Sequence, residues 1–367
     1  MKVLISKEAL FDGLNTVSRA ISTRSAIQSL SGVLIKTMDE SLELSATDME
    51  IGLRLNASAQ IERSGVVVVP GRLFLDVVRS LPSGMILLNT DGEDLQLESG
   101  ASKFRLKLYP EDEFPKLPQS VEGELIDLST RQLTETIQRV VKSASKDEAR
   151  PVLTGVLISS ECNRLVMVAT DSYRLSVMET EVEDSVVGSL KVNVPARAMQ
   201  ELLRIASSVE EESVSVGISG SQVVFKIGGV TLSSRLIEGQ FPNYKQLIPE
   251  SFDHKIIFDG SEFLEVVRRV GLMAQKNSPL KVSVEAGKVT VTASTSDIGE
   301  AVESMPVRYG GDELEIGFNP EFLRDGLESS GGGETEISLI SALRPGLIRA
   351  PGNKSFSYLI MPVRLNV

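Results

Sequence analysis

The chain has 367 residues, with 38 Lys and Arg against 50 Asp and Glu, and its formal net charge is −12 at pH 7. The acidic balance, taken alone, argues against nucleic-acid binding. A single cysteine excludes an internal disulfide framework and a cysteine metal cluster. The chain has no run of 18 apolar residues, and charge soon interrupts its first residues. We therefore expect a soluble cytoplasmic protein without a signal peptide or membrane span.

The first elements in chain order are a short strand and an amphipathic helix. Leu10, Leu14 and Val17 follow the spacing of one helical face, and Ser6 is a good N-cap. A β-rich stretch leads to a second helix at 71–80, and a hairpin pattern turns at 91–92. This order predicts a domain in which helices cover one face of antiparallel sheets.

The same order of elements recurs twice further along the chain. The N-caps expected for the next repeats are Ser129 or Thr130 in the second and Ser261 in the third. Hairpin turns are predicted at 219–221 and at 285–288. The six predicted helices cover residues 7–24, 71–80, 129–150, 196–205, 261–277 and 320–329.

Three prolines mark the period of the repeat. Pro70, Pro195 and Pro320 lie at equal intervals of 125 residues, and each follows a strand pattern and precedes a helix pattern. We expect each proline in the first helical turn, where its missing N–H costs nothing. The period predicts three tandem copies of an α+β domain with two helices and roughly eight strands, at residues 1–120, 121–250 and 251–367.

Charge is unevenly distributed between helices and the remainder of the chain. The predicted helices carry 16 Lys and Arg against 12 Asp and Glu, whereas the remaining residues carry 22 against 38. Ordinary solvated helix faces are one explanation. A second is that three domains in a row form an arc, which partner chains close head to tail into a ring. A ring lined by basic helices suits a threaded polyanion, held by topology and not by sequence-specific contacts.

Four stretches of the sequence resemble the family of the bacterial DNA polymerase III beta subunit, the sliding clamps. They are residues 169–175, 239–244, 314–319 and 358–365. The resemblance implies the clamp fold, with helices lining the pore of a head-to-tail homodimeric ring. It also implies a non-catalytic accessory subunit of the polymerase III holoenzyme, without cofactor or metal. Such a subunit encircles duplex DNA and tethers the replicative polymerase in the bacterial cytoplasm, at the nucleoid during replication.

The resemblance further implies one pocket for partner peptides, which belong to the polymerase III catalytic subunit, the ATP-dependent clamp loader, repair polymerases, mismatch repair proteins and ligase. An apolar groove containing methionine suits extended peptides with hydrophobic anchors. From the residues alone, Leu175, Leu247 and Met361 are equally plain core positions. The implied pocket residues are Leu153, Thr170, Ser172, Tyr173, Arg174, Leu175, Pro242, Gln246, Leu247, Pro345, Leu359, Met361, Pro362, Val363 and Arg364.

The resemblance also implies a DNA-facing surface and a ring interface. Contacts to duplex phosphates are expected from Arg24, Arg72, Arg79, Arg139, Lys142, Lys146, Arg150, Arg197 and Arg204. The strand at 103–108 is similar to the edge strand of the family, although an internal strand fits the residues equally well. The implied interface residues are Phe104, Leu106, Leu272 and Met273.

Two other classes of function compete with a clamp. Asp48 and Asp171 each follow Ala-Thr and are candidate carboxylates of a hydrolase, although turn or cap carboxylates are the simpler interpretation. The single histidine, His254, accompanies no nucleophile motif, and 352–355 lacks the spacing of a phosphate-binding loop. A peptide-binding scaffold without a DNA role is the remaining alternative.

Overall fold

The computed structural model describes residues 1–23, 25–118, 121–161, 163–182, 190–275, 278–295 and 299–365. These residues form two compact units. Unit 1 comprises Met1–Thr130 and Glu201–Leu236, and unit 2 comprises Arg131–Gln200 and Ile237–Val367. No helix within the described ranges is long and apolar enough to cross a membrane.

The strands follow one another in three similar groups. In the first repeat they are β1 (Lys2–Ser6), β2 (Gly32–Thr37), β3 (Ser41–Thr47), β4 (Ile51–Ser58), β5 (Gln60–Arg63), β6 (Val66–Pro70), β7 (Met85–Asp91), β8 (Asp94–Ser99) and β9 (Ser102–Lys107). In the second they are β10 (Glu122–Ser129), β11 (Gly155–Glu161), β12 (Arg164–Thr170), β13 (Arg174–Glu181), β14 (Lys191–Pro195), β15 (Ser213–Ser219), β16 (Gln222–Ile227) and β17 (Val230–Arg235). In the third they are β18 (His254–Asp259), β19 (Leu280–Glu285), β20 (Lys288–Thr295), β21 (Gly299–Pro306), β22 (Leu314–Phe318), β23 (Glu334–Leu339), β24 (Gly346–Arg349) and β25 (Phe356–Ile360).

Two helices accompany each group of strands. They are α1 (Lys7–Val17), α2 (Gly71–Ser80), α3 (Thr130–Val140), α4 (Ala196–Ala206), α5 (Gly260–Gly271) and α6 (Pro320–Ser330). Leu10, Leu14 and Val17 of α1 are fully buried, as the helical spacing predicts. The α+β class and the triplicate order of elements agree with the sequence prediction.

The sheets are antiparallel, and two of them cross from one repeat to the next. In unit 1 the strand orders are β5-β1-β7-β8-β9 and β10-β15-β16-β17-β4-β3-β2-β6. In unit 2 they are β14-β11-β12-β13-β25-β24-β23-β18 and β21-β20-β19-β22. Each crossing pairs the last strand of one repeat with the fourth strand of the preceding repeat. β17 pairs with β4, and β25 pairs with β13.

The proline joints are confirmed as places where a strand ends and a helix begins, but the position within the joint differs. Pro320 is the first residue of α6, and Asn319 caps that helix by accepting from the backbone N–H of Phe322 at 3.1 Å. Pro70 and Pro195 are the last residues of β6 and β14 instead. Both strands lie at the edge of a sheet, where a residue without an N–H is tolerated.

Several predicted boundaries change in the structure. The three longest predicted helices end early, with α1 ending at Val17, α3 at Val140 and α5 at Gly271. Ser6 caps α1 as expected, but Ser261 lies inside α5, where the carboxylate of Asp259 caps the helix instead. The predicted hairpin turns near 91, 219 and 285 are confirmed.

A buried arginine ties α6 to β13 inside unit 2. Arg174 Nη1 donates to Asp325 Oδ2 at 2.5 Å, and its Nε donates to Asp171 Oδ2 at 3.1 Å. Its third contact is from Nη2 to the carbonyl of Lys142 at 2.6 Å. The guanidinium also lies 4.4 Å from the ring centre of Phe322. Every face of this buried cation therefore has a partner, as burial of a charge requires.

The electrostatics of this network keep Arg174 charged. Burial alone lowers the pKa of Arg174, but its interactions with Tyr358 and with the carboxylates of Asp325 and Asp171 raise the pKa further than burial lowers it. Burial likewise raises the pKa of Tyr358, whose hydroxyl donates to the carbonyl of Phe322 at 2.8 Å. The cluster is therefore a neutral phenol and a fixed ion group that position the end of β13.

Replacement of the buried carboxylate should cost far more stability than replacement of an exposed one. Asp325→Asn leaves the Arg174 charge partly uncompensated, and we expect the free energy of unfolding to fall by about 3–5 kcal/mol. Asp76→Asn is the matched control, because Asp76 pairs with Arg79 at 3.0 Å on an exposed helix face, where such pairs contribute under about 1 kcal/mol. Urea unfolding followed by circular dichroism measures both; equal losses would contradict the role of the network.

Candidate functional site

A tight turn between β12 and β13 carries the Thr-Asp motif. Thr170 Oγ1 donates to the carbonyl of Arg174 at 2.6 Å, and Asp171 Oδ1 accepts from the backbone N–H groups of Tyr173 and Arg174 at 2.9 and 3.0 Å. Ser172 has a φ of 79°, a left-handed conformation that favours glycine. The side-chain hydrogen bonds hold the serine in this conformation and aim Tyr173 outward.

The first repeat contains the same turn. Thr47 Oγ1 donates to the carbonyl of Ile51 at 2.8 Å, Asp48 Oδ1 accepts from the N–H of Ile51 at 2.9 Å, and Met49 has a φ of 75°. Both aspartates therefore serve as turn carboxylates, which is the simpler of the two interpretations that the sequence allowed. The two turns also fix the equivalence of the repeats, in which Ile51 corresponds to Arg174.

An apolar cluster brings three distant segments of unit 2 together. Leu175 of β13 lies opposite Leu359 of β25 in the strand ladder. Both belong to a buried cluster with Phe241, against which Tyr244 and Ile248 pack. The end of β13, the loop at 241–248 and the C-terminal strand thus meet at one place. We call the surface formed by residues 170–175, 241–248 and 359–364 the three-segment surface.

The rim of the three-segment surface is apolar and open to solvent. Tyr173 is 60% exposed, Leu247 is 50% exposed and Met361 is 40% exposed. Leu175 and Leu359 are buried beneath them. The core interpretation therefore holds for Leu175 and fails for Leu247 and Met361, because the loop and the C-terminal segment carry these side chains outward.

The C-terminal segment is fixed by backbone contacts. The N–H of Met361 donates to the carbonyl of Tyr173 at 2.8 Å, and the N–H of Val363 donates to the carbonyl of Gly317 at 2.8 Å. A Cβ on Gly317 would lie 2.4 Å from the carbonyl oxygen of Val363, so the approach requires glycine. Pro362 and Val363 are half-buried and Arg364 is exposed.

The remaining predicted pocket residues border this surface. Leu153 is buried, and its neighbour Val152 packs against the cluster. Pro345 is half-buried and precedes β24, while Pro242 and Gln246 are exposed on the loop. Sequence reasoning missed Leu157, Val177, Phe241 and Leu347 of the cluster, and also Phe322, whose ring centre lies 6.4 Å from that of Tyr173. The alternating apolar pattern of β11 and β13 was the available signal for Leu157 and Val177.

Most of the predicted phosphate-binding residues are engaged with neighbouring carboxylates. Arg79 pairs with Asp76, Arg139 with Glu135 at 2.7 Å, Lys142 with Glu328 at 2.6 Å, Arg150 with Asp147 at 3.0 Å, and Arg204 with Glu201. The side chains of Arg72, Lys146 and Arg197 are exposed, and Arg24 lies outside the described residues. The basic helix faces are thus partly neutralised.

Within the described part of the chain, β9 and β21 are among the strands that end a sheet and have a neighbour in that sheet on one side only. β9 is the last strand of its sheet in unit 1, and β21 is the last strand of its sheet in unit 2. The predicted edge strand is therefore confirmed, and the internal alternative is wrong. Phe104 of β9 and Val302 of β21 are exposed, as is Leu272 after α5, whereas Met273 is half-buried. Leu106 is buried in unit 1, although it lies on the same face of β9 as Phe104, because residues two apart in a strand share a face.

The described residues contain no cluster of three or more His, Cys, Asp or Glu that is suited to a metal ion. His254 Nδ1 lies 2.6 Å from the hydroxyl of Tyr309, so its ring contacts a phenol and not a nucleophile.

Family models of the DNA polymerase III beta subunit match almost the whole chain. The N-terminal domain model matches residues 1–118, the central domain model 127–243 and the C-terminal domain model 245–364. These matches confirm the resemblance that the sequence motifs indicated, and they identify three tandem clamp domains.

Individual relatives agree with the family models. The chain is 32% identical over 383 residues to the beta sliding clamp of Streptomyces coelicolor, with 100% of both chains covered. The DNA polymerase sliding clamp of Bacillus subtilis is 31% identical with a TM-score of 0.95, and that of Bartonella birtlesii, solved bound to griselimycin, is 30% identical with a TM-score of 0.94. Both structural matches cover 100% of this chain and of the relative. The chain therefore belongs to the family of the DNA polymerase III beta subunit, the beta sliding clamp, which is a non-catalytic subunit.

Proposed function

We propose that two copies of this chain close head to tail into a ring that encircles duplex DNA, slides along it and tethers the replicative DNA polymerase. The main support for a ring is the strand junction that recurs along the chain. The junctions β17·β4 and β13·β25 each join one repeat to the next. By the same rule β9 of one copy pairs with β21 of the next copy, which closes the ring after six domains.

The side chains on the edge strands β9 and β21 support this interface. An exposed edge strand with apolar side chains invites association unless a partner covers it. Phe104 on β9 and Val302 on β21 are such side chains, and exposed Leu272 and half-buried Met273 follow α5 in the same unit as β21. We assign Leu106 to the support of Phe104 from within the core and not to the interface contact itself.

The charge distribution supports a weak hold on DNA. Because Arg79, Arg139, Lys142, Arg150 and Arg204 already have carboxylate partners, a DNA phosphate must compete for each of them. A protein retained by phosphate contacts alone needs many unopposed cations, and salt weakens it steeply. A protein retained by topology needs few such cations. We propose that Arg72, Lys146 and Arg197, whose side chains are exposed, make the non-specific contacts to the duplex together with Arg24.

We propose that the three-segment surface binds the partner proteins. Exposed Leu247 and Met361 offer apolar contact, and methionine adapts to varied side chains. Exposed Tyr173 offers a flat aromatic face beside them. Extended peptides of the polymerase III catalytic subunit, the ATP-dependent clamp loader, repair polymerases, mismatch repair proteins and ligase are the expected ligands. They would compete there, in the bacterial cytoplasm at the nucleoid.

Removal of the apolar rim should abolish partner binding and leave the fold intact. Met361→Ala with Pro362→Ala is expected to lower the affinity for a clamp-binding peptide of the polymerase at least tenfold, because the exposed anchor contacts are lost. Met38→Ala is the matched control, since Met38 is also an exposed methionine but lies in unit 1. Fluorescence anisotropy of the labelled peptide measures both. Unchanged affinity in the double variant would refute the assignment.

A charge at the proposed interface should separate the two copies. Phe104→Arg is expected to convert the homodimer to a monomer, because it places an unpaired cation against the apolar side chains of the next copy. Met38→Arg, at an exposed position outside the interface, should leave the dimer unchanged. Sedimentation velocity distinguishes the two masses. A Phe104→Arg dimer of wild-type affinity would exclude β9 from the interface, and a monomeric variant that still supports replication would favour the scaffold alternative.

A further inference from the structure

Unit 1 contains a cavity of about 600 Å³ on the face of β2, β3 and β4, which residues 111–117 close from the other side. Its walls include Leu34, Lys36, Glu43, Ser45, Arg54 and Phe114. Glu111, Asp112 and Lys116 lie at its exposed mouth. The proposed function uses none of these residues.

The cavity is the first-repeat counterpart of the apolar cluster that lies beneath the three-segment surface. In the strand junctions, Gly52 lies opposite Ser233 where the next repeat has Leu175 opposite Leu359. The closing segments also correspond, because Phe114-Pro115 follows β9 as Phe241-Pro242 follows β17. The first and second repeats therefore contain equivalent sites, each formed by the same strands and closed by a Phe-Pro segment.

The chemistry of the two places differs. The positions of Val166, Val168 and Val177 in the second repeat are occupied by Glu43, Ser45 and Arg54 in the first. A Cβ on Gly52 would lie 2.5 Å from Leu117 Cδ2, so the closing segment itself packs where the second repeat has a leucine side chain. An apolar peptide would have to desolvate the charged wall, which makes the cavity unsuitable for the partners of the three-segment surface.

The strand wall of the cavity carries two cations, Lys36 and Arg54, against one carboxylate, Glu43, whereas the mouth carries Lys116 against Glu111 and Asp112. Glu43 lies opposite Lys36 in the β2·β3 ladder, and Arg54 lies opposite Ser45 in the β3·β4 ladder. The closest approach of Arg54 Nε to Glu43 Oε2 is 3.9 Å, which is longer than a hydrogen bond. The Arg54 side chain is only 18% exposed. A planar guanidinium held in this way is suited to bidentate binding of a carboxylate.

We infer that this cavity is a second peptide site, which binds a short segment that presents a carboxylate beside an apolar side chain. The carboxylate binds Arg54 and Lys36, and the apolar side chain packs against Leu34 and Phe114. The site is independent of DNA encirclement and of the three-segment surface, and it gives the ring a second class of ligand.

The test uses two capped dipeptides on the intact protein, N-acetyl-Leu-Asp-amide and N-acetyl-Leu-Asn-amide. Titration is followed by methyl NMR at Leu34, Val66 and Leu117, which line the cavity. The aspartate probe should shift these methyl signals and bind at least fivefold more tightly than the asparagine probe. Arg54→Gln should remove that preference. Glu43→Gln should increase the affinity for the aspartate probe severalfold, because it removes the competing carboxylate.

Arg54→Gln should weaken binding of the aspartate probe and Glu43→Gln should strengthen it. These opposite effects on affinity distinguish loss of a contact from damage to the fold. Methyl signals of Leu175 and Leu359 serve as an internal control, since they belong to the three-segment surface. Equal affinity for the two probes, an Arg54→Gln protein that keeps the preference, or shifts confined to Leu175 and Leu359 would each overturn the inference. None of these results would bear on ring closure or on binding of the polymerase.

Discussion

The antiparallel junction between successive repeats is the constraint on which the rest of the structure depends. The second and third repeats each end in a strand that pairs with a strand of the preceding repeat, as β25 does with β13. The junction satisfies backbone donors and acceptors of both paired strands, so neither of these two strands is left as an exposed edge there. The junction also brings the C-terminal strand against the Thr-Asp turn, which is how Met361 comes to lie beside Tyr173. The proposed function uses parts of the fold that the junctions do not cover, namely the edge strands β9 and β21 and the exposed rim of the three-segment surface.

Differences between equivalent positions separate the roles of the repeats. The first and second repeats share the same turn, with the same hydrogen bonds at 47–51 and 170–174. Arg174 stands where the first repeat has Ile51, and its buried ion group with Asp325 fixes α6 behind the second turn. Breaking such a group costs much more than its formation contributes, so it specifies geometry more than it adds stability. The charged cavity of the first repeat and the apolar rim of the second are two outcomes of one architecture.

Much of the fold could be predicted from the sequence because the same order of helices and strands recurs in three repeats. The period of Pro70, Pro195 and Pro320 identified the strand-to-helix joints, although edge strands accept two of these prolines as their final residues. The Thr-Asp turn and the apolar segments identified most of the site. Burial could not be predicted for Leu106 or Leu247, because it depends on which part of a strand or loop other segments of the fold cover. Asp325 was missed because its partner Arg174 lies far away in the sequence, and β21 was missed because the partner that we propose for it belongs to another copy of the chain.

Retention on DNA of defined topology tests directly whether the protein encircles the duplex. The protein is loaded by its clamp loader onto nicked circular DNA or onto linear DNA of the same length, and the bound fraction is followed after transfer to high salt. Phosphate contacts weaken steeply with salt, whereas encirclement does not. Encirclement predicts lasting retention on the circle, rapid loss from linear DNA and equally rapid loss once the circle is cut. Equal retention on circular and linear DNA would contradict it.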